Sequence, residues 1–178
     1  MIITSEQVRN ISSEYEARTI YHEVKLNKAI IEFTNLFIFG DDNRIARNAL
    51  WVLTKANTEE ISRLQTLLNE LIDLALRTND TSVRRLSLNI IERLEMNKEE
   101  LRSDFLDFCL QHMTSIEEFP GIQAVCMKLA FRMCKFYSEL TDEFMRILES
   151  MEIDLYKPAV KSVRNKILKR RKCQDFQL

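Results

Sequence analysis

Apolar residues along the chain recur with the spacing of a helix. Four segments share one register, opened by Ile45, Val83, Ile122 and Val160 at steps of 38, 39 and 38 residues. Seven positions on stand Val52, Ile90, Leu129 and Ile167, and eight positions on stand Leu53, Ile91, Ala130 and Leu168. Offsets 0, 7 and 8 fall on one face of a helix with 3.6 residues per turn. Offset 4 is small in three of the four, Ala49, Ser87 and Cys126, and is Arg164 in the last. Small side chains there let neighbouring helices approach closely. A second set of helical patterns lies between these segments, over 59–77 (Ile61, Leu64, Leu68, Leu71, Ile72, Ala75), 98–115 (Leu101, Phe105, Phe108, Cys109, His112) and 138–152 (Leu140, Phe144, Ile147, Leu148, Met151). Residues 28–39 are apolar almost all round, which predicts a helix covered on two sides.

Local punctuation agrees with this reading. Asn57 with Glu60, and Asn97 with Glu100, place a capping side chain three residues before a carboxylate. Pro120 and Pro158 stand in the first turn of two aligned helices, where a missing N–H costs little. Gly40 is expected to end the 28–39 helix in a left-handed conformation. Asp41, Asp42 and Asp80 sit where they favour a helix start. Residues 5–26 predict one or two capping helices. One helix pair cannot bury its own apolar stripe, whereas stacking pairs makes the core continuous. The expected fold is therefore all-α, a right-handed α-solenoid of about four helix pairs. The expected domain plan is a single domain over 1–178, with a cap over 1–27, repeats over 28–172 and a tail over 173–178.

The pattern resembles the HEAT and armadillo-like repeat families. Two runs carry the likeness, Asn43-Arg44-Ile45-Ala46-Arg47-Asn48-Ala49-Leu50-Trp51-Val52-Leu53 and Asp80-Thr81-Ser82-Val83-Arg84-Arg85-Leu86-Ser87-Leu88-Asn89-Ile90-Ile91. Both look like the second helix of a HEAT repeat. The third and fourth repeats depart from it, with Gln123 and Lys161 in the place of Arg84. The likeness covers about residues 28–172 and speaks for architecture rather than activity. The chain is also similar to a group of short bacterial helical-repeat proteins, some of them labelled adenylosuccinate lyase. That lyase superfamily resembles much longer bundles carrying a Gly-Ser-x-x-Met-Pro-x-Lys-x-Asn loop, which this sequence lacks, so the residues imply no lyase activity.

Composition narrows the function classes. With only 2 Gly and 2 Pro among 178 residues, where average usage would give about 12 and about 9, glycine-cradled phosphate sites and hairpin-rich sheets are excluded. The 4 cysteines, at 109, 126, 134 and 173, form no C-x-x-C pair, and with only His22 and His112 no zinc pattern can be assembled. No metal and no cofactor are expected. Buried reduced thiols are the reading for Cys126 and Cys134, whereas Cys173, among Lys and Arg residues, is a candidate reactive thiol. The first residues lack a basic region followed by an apolar run, and the apolar stretch near Ala29–Phe39 is interrupted by Glu32, Thr34 and Asn35. A cytoplasmic protein without a membrane span is expected.

The formal net charge of −1 hides a segregation. The helices over 28–39, 59–77, 98–115 and 138–152, termed A, hold 14 acids against 6 bases, a net of −8. The helices over 43–56, 81–95, 120–137 and 156–172, termed B, hold 17 bases against 2 acids, a net of +15. Offsets 2, 6 and 10 of each B helix share one face. They read Arg47, Trp51, Lys55; Arg85, Asn89, Arg93; Ala124, Lys128, Arg132; and Ser162, Lys166, Arg170. Every repeat has a base at offset 10, and no acid occupies any of these positions. If B helices line the concave side, these residues form a basic ladder facing an anionic partner, with Trp51 placed to stack or anchor.

Catalytic readings are poor. His22 and His112 read as surface or packed histidines, and the carboxylate pairs Glu59/Glu60 and Glu99/Glu100 sit in first turns, where the helix dipole accounts for them. The expected function is a non-catalytic interaction scaffold that binds an acidic protein segment on the ladder. The alternative is a nucleic-acid-binding protein related to the HEAT-like alkylpurine DNA glycosylases, whose lesion-site carboxylate has no counterpart on this stripe.

Overall fold

The structure is a computed structural model that describes residues 3–175, with side chains described through Arg170. No strand occurs among the described residues. The chain packs as two compact units, the first running through Glu95 and the second starting at Met96.

In the first unit the helices are α1 (Ser5–Arg9), α2 (Glu14–Leu26), α3 (Ile30–Phe37), α4 (Asn43–Leu53), α5 (Thr58–Ser62), α6 (Leu68–Arg77) and α7 (Thr81–Ile91). Helix α4 touches α1, α2, α3 and α7, while α6 packs along α7. In the second unit α8 (Ser103–Thr114), α10 (Ser138–Ser150) and α11 (Pro158–Asp175) all pack on α9 (Pro120–Cys134). The expected register is the buried one: Val83, Ile122, Val160, Val52, Ile90, Leu129, Ile167, Leu53, Ile91 and Ala130 all lie in the core, and Ile45 and Leu168 are half-buried. Ala49, Ser87 and Cys126, the small offset-4 residues, have no exposed surface. Ser87 Oγ is buried without a hydrogen-bond partner among the described residues, so its smallness rather than its hydroxyl serves the packing.

Capping chemistry sets most helix starts. Thr4/Gln7, Ser13/Glu16 and Asn57/Glu60 form reciprocal capping boxes on α1, α2 and α5. Asp42 and Asp80 each accept two backbone N–H groups at the heads of α4 and α7. Pro120 and Pro158 open α9 and α11 as expected.

Four expectations are corrected. Asn97 caps nothing: its amide donates to the Glu100 carboxylate instead of its oxygen accepting a backbone N–H, and α8 starts at Ser103. The 59–77 helix is broken by a 3₁₀ segment, Arg63–Leu67, which holds Gln65 against Glu95 in a two-way bond of 3.0 and 2.9 Å. Gly40 is not left-handed, since no glycine has positive φ among the described residues. The left-handed residue is Lys28, with φ 52°, and it is why α3 starts at Ile30 and not at residue 28. Ala29 N–H donates to Val24 O and Lys28 N–H to Lys25 O, both at 3.0 Å, which makes a Schellman ending of α2 with a side chain where glycine usually stands. Cys109, Cys126 and Cys134 are buried free thiols, and burial pushes the Cys134 thiol up to about 11. The Cys173 side chain lies outside the described ones.

Replacing Lys28 by glycine relieves the left-handed strain and should stabilise the protein by about 0.5–1 kcal/mol in urea unfolding. Leu53→Ala or Ile91→Ala should cost about 2–5 kcal/mol in the same measurement, because each leaves a hole in a closed core.

Candidate anion-binding site

Helices α4 and α7 lie side by side, and the α1–α2 loop crosses their N-terminal halves. Together they enclose a groove of about 440 Å³ lined by Arg44, Arg47, Asn48 and Trp51 of α4, Ser82, Arg85 and Leu86 of α7, and Ile11 and Ser12 of the loop. No carboxylate belongs to this lining. Three acids close to the lining residues in sequence are committed elsewhere. Asp42 takes the backbone N–H groups of Arg44 and Ile45 and an ion pair from Arg9. Asp80 takes those of Ser82 and Val83, and Glu16 takes those of Ser12 and Ser13.

One buried amide organises the groove wall. Asn48 Nδ2 donates to the carbonyls of Val8, Arg9 and Ile11 at 2.9, 3.1 and 3.3 Å, which pins the end of α1 and the loop after it to α4. Its Oδ1 faces Nε and Nη2 of Arg47 at 3.4 Å, so the Arg47 guanidinium leans on a fixed acceptor. Arg85 and Arg44 are exposed, and neither guanidinium has a carboxylate partner among the described residues.

The ladder residues have different fates. Arg47, Trp51 and Arg85 share the groove. Lys55, only 13% exposed, donates to Glu14 Oε2 at 2.5 Å and sits 5.5 Å from the Trp51 ring centroid. That bond holds the Glu14 carboxyl below its ordinary value. Arg93 is half-buried and donates to Ala56 O at 2.5 Å, answering a carbonyl just beyond the end of α4. Offset 10 of the first unit is thus occupied with internal work. In the second unit Lys128 and Arg132 are half-buried and neither is free, while Lys166 and Arg170 are exposed on α11. Arg44, Ser12 and Ser82 escaped the sequence reading. Arg44 was within reach, since it stands three and seven residues before Arg47 and Trp51. Ser12 was not, because only the tertiary fold brings the loop to α4.

A second cavity of about 270 Å³ lies between α2 and α5, lined by Tyr21, Lys25, Lys28, Glu59, Glu60 and Arg63 among others. Several of its polar groups satisfy each other. Glu60 accepts the Tyr21 hydroxyl, the Asn57 N–H at 2.9 Å and the Lys25 ammonium at 3.1 Å. These contacts, the tyrosine first, hold the Glu60 carboxyl at about 2 instead of 4.5. Burial and the adjacent carboxylate push the Tyr21 hydroxyl up. The two histidines line neither cavity. His22 is exposed, and His112 packs on Phe108 at 4.0 Å with Nδ1 on Glu118.

Stacked helix pairs with this register are the hallmark of an α-helical repeat protein. The HEAT repeat domain matches residues 4–171, and the chain belongs to that family. No curated protein and no solved structure gives a significant match. HEAT repeats generally mediate protein interactions. No helix among the described residues is long and apolar enough to cross a membrane, and none of their His, Cys, Asp and Glu side chains cluster as a metal site.

A carboxyl whose pKa falls on folding contributes stability above its unfolded value and loses it as pH drops through the folded value. The wild type should therefore lose stability between about pH 5 and about pH 2 as Glu60 protonates. Glu60→Gln should be less stable at neutral pH and show a flatter acid limb in urea melts across that range.

Proposed function

We propose that this protein is a non-catalytic interaction scaffold whose basic B-helix face takes an acidic protein segment, with the groove of Arg44, Arg47, Trp51 and Arg85 as the point of contact. The observation that carries the reading is the groove itself. It holds three guanidiniums and an indole with no acid in the lining, in a protein whose total charge is −1. Clustered positive charge raises self-repulsion, and an anionic partner relieves it. Arginine and tryptophan are also the residue types that dominate binding energy at protein interfaces. Lys166 and Arg170 add exposed positive charge in the second unit. Free buried thiols accord with a reducing, cytoplasmic setting. Offset 10 is a poor place to test the reading, because reversing Lys55 or Arg93 breaks contacts the fold uses.

The test is charge reversal at Arg44, Arg47 and Arg85 together, read by fluorescence anisotropy of a labelled Asp/Glu-rich peptide with circular dichroism as the folding control. Affinity should drop at least about tenfold with helical content unchanged. Unchanged binding would remove the groove from the mechanism. A labelled oligonucleotide of equal charge serves as the comparison at about 50 and about 300 mM salt, where phosphate-backbone binding weakens steeply. Tighter, strongly salt-dependent binding of the oligonucleotide would replace the proposal with the nucleic-acid reading.

A further inference from the structure

We infer that the α4–α7 groove selects a phosphorylated side chain, a phosphoserine or phosphothreonine within a peptide, over an ordinary acidic residue. The inference rests on the scaffold reading above and specifies its ligand.

Charge is the first reason. Arg44, Arg47 and Arg85 bring three positive charges to one small groove. One carboxylate supplies a single negative charge and two acceptor oxygens. A phosphomonoester supplies about −1.5 to −2 and three acceptor oxygens, the stoichiometry that arginine clusters satisfy.

Geometry is the second reason. Arginine presents a planar fork suited to paired bonds with phosphate. Nε and Nη2 of Arg47 donate to Asn48 Oδ1, which orients the guanidinium and leaves its Nη1/Nη2 end for a ligand, and the Asn48 amide is itself tied to three carbonyls. A held donor loses less freedom on binding than a loose one. Ser82, half-buried in the first turn of α7, lies in the same lining and adds a hydroxyl donor.

Extent is the third reason, and it favours a peptide over a nucleic-acid strand. A volume of about 440 Å³ suits one small ligand group and its neighbours. Beyond the groove the positive stripe of the first unit stops. Lys55 is neutralised by Glu14, and Arg93 is spent on the Ala56 carbonyl. A phosphodiester backbone needs continued positive charge along its path. A single phosphorylated residue does not, and Trp51, Ile11 and Leu86 offer apolar surface for the residues beside it.

The experiment uses the full chain on peptide arrays in which the same set of varied sequences is displayed three times, with phosphoserine, glutamate or serine at the centre. Hits are then measured by anisotropy against wild type, Arg44→Ala and Arg85→Ala, both exposed positions whose loss leaves the core intact. The expected result is at least about tenfold tighter binding of phosphopeptides than of their glutamate versions. That binding should be competed by inorganic phosphate and lost in both variants with circular dichroism unchanged. Equal binding of phosphoserine and glutamate peptides would overturn the inference while leaving the acidic-segment scaffold standing. Failure of both peptide sets to bind would overturn both. Phosphopeptide binding that survives in both variants would place the site elsewhere and overturn the inference. A labelled oligonucleotide that binds more tightly than any phosphopeptide would overturn it in favour of a polyanion groove.

Discussion

Every α-helix ends with carbonyls that its own backbone cannot satisfy, and this protein answers many of them with side chains from the next packed helix. Arg84 of α7 reaches back to Ala75 O and Thr78 O at the end of α6. Gln123 of α9 donates to Ser115 O just past α8 at 2.6 Å. Arg164 of α11 donates to Leu148 O near the end of α10 at 2.7 Å. Asn48 of α4 does the same for α1 with three bonds, and Arg93 serves α4. These bonds set how far one helix slides along another, and the apolar register then fills the space between. The chain has only two glycines to supply left-handed caps, and neither has positive φ. Side-chain capping across helices takes over that task.

This also explains why the later repeats tolerate a different residue in the place of Arg84. Gln123 looks like a departure from the HEAT pattern, yet its amide reaches the same kind of carbonyl. Position and donor capacity matter there, and charge does not. In the last repeat the task moves to Arg164, where a long side chain replaces the small residue at offset 4 and bends back to α10. The bases on the B helices therefore divide among several places. Some serve the joints between helices, some line the α4–α7 groove, and others, Lys166 and Arg170 among them, stand exposed on α11.

The distinction shapes the functional picture. A basic stripe read as one ladder divides, in the first unit, into an end used for binding within the fold and an end left open. The open end is the one with Asn48 behind it, so the residue that anchors α1 also steadies the arginine facing the groove. Anchoring of α1 and orientation of Arg47 thus share one side chain. The cavity between α2 and α5 shows the opposite outcome, with Glu60, Tyr21, Lys25 and Asn57 consuming each other's polarity.

The sequence by itself determined the helix class, the buried register and most helix starts. Those features depend on contacts within about four residues, and a repeat states the same register more than once. It also showed Arg47, Trp51 and Arg85 on one stripe, because helical periodicity alone aligns them. It misjudged Gly40 and Lys28, since a left-handed ending depends on how the chain turns into the next packed helix and not on residue type alone. It misjudged Asn97, whose side chain had a local carboxylate as a competing partner. Only the tertiary structure decided that Lys55 would meet Glu14 41 residues away and that Arg93 would meet the Ala56 carbonyl. It alone brought Ser12 into the groove. Periodicity shows which face of a helix a side chain occupies, whereas the group it meets there is set by the packing of helices far apart in the chain.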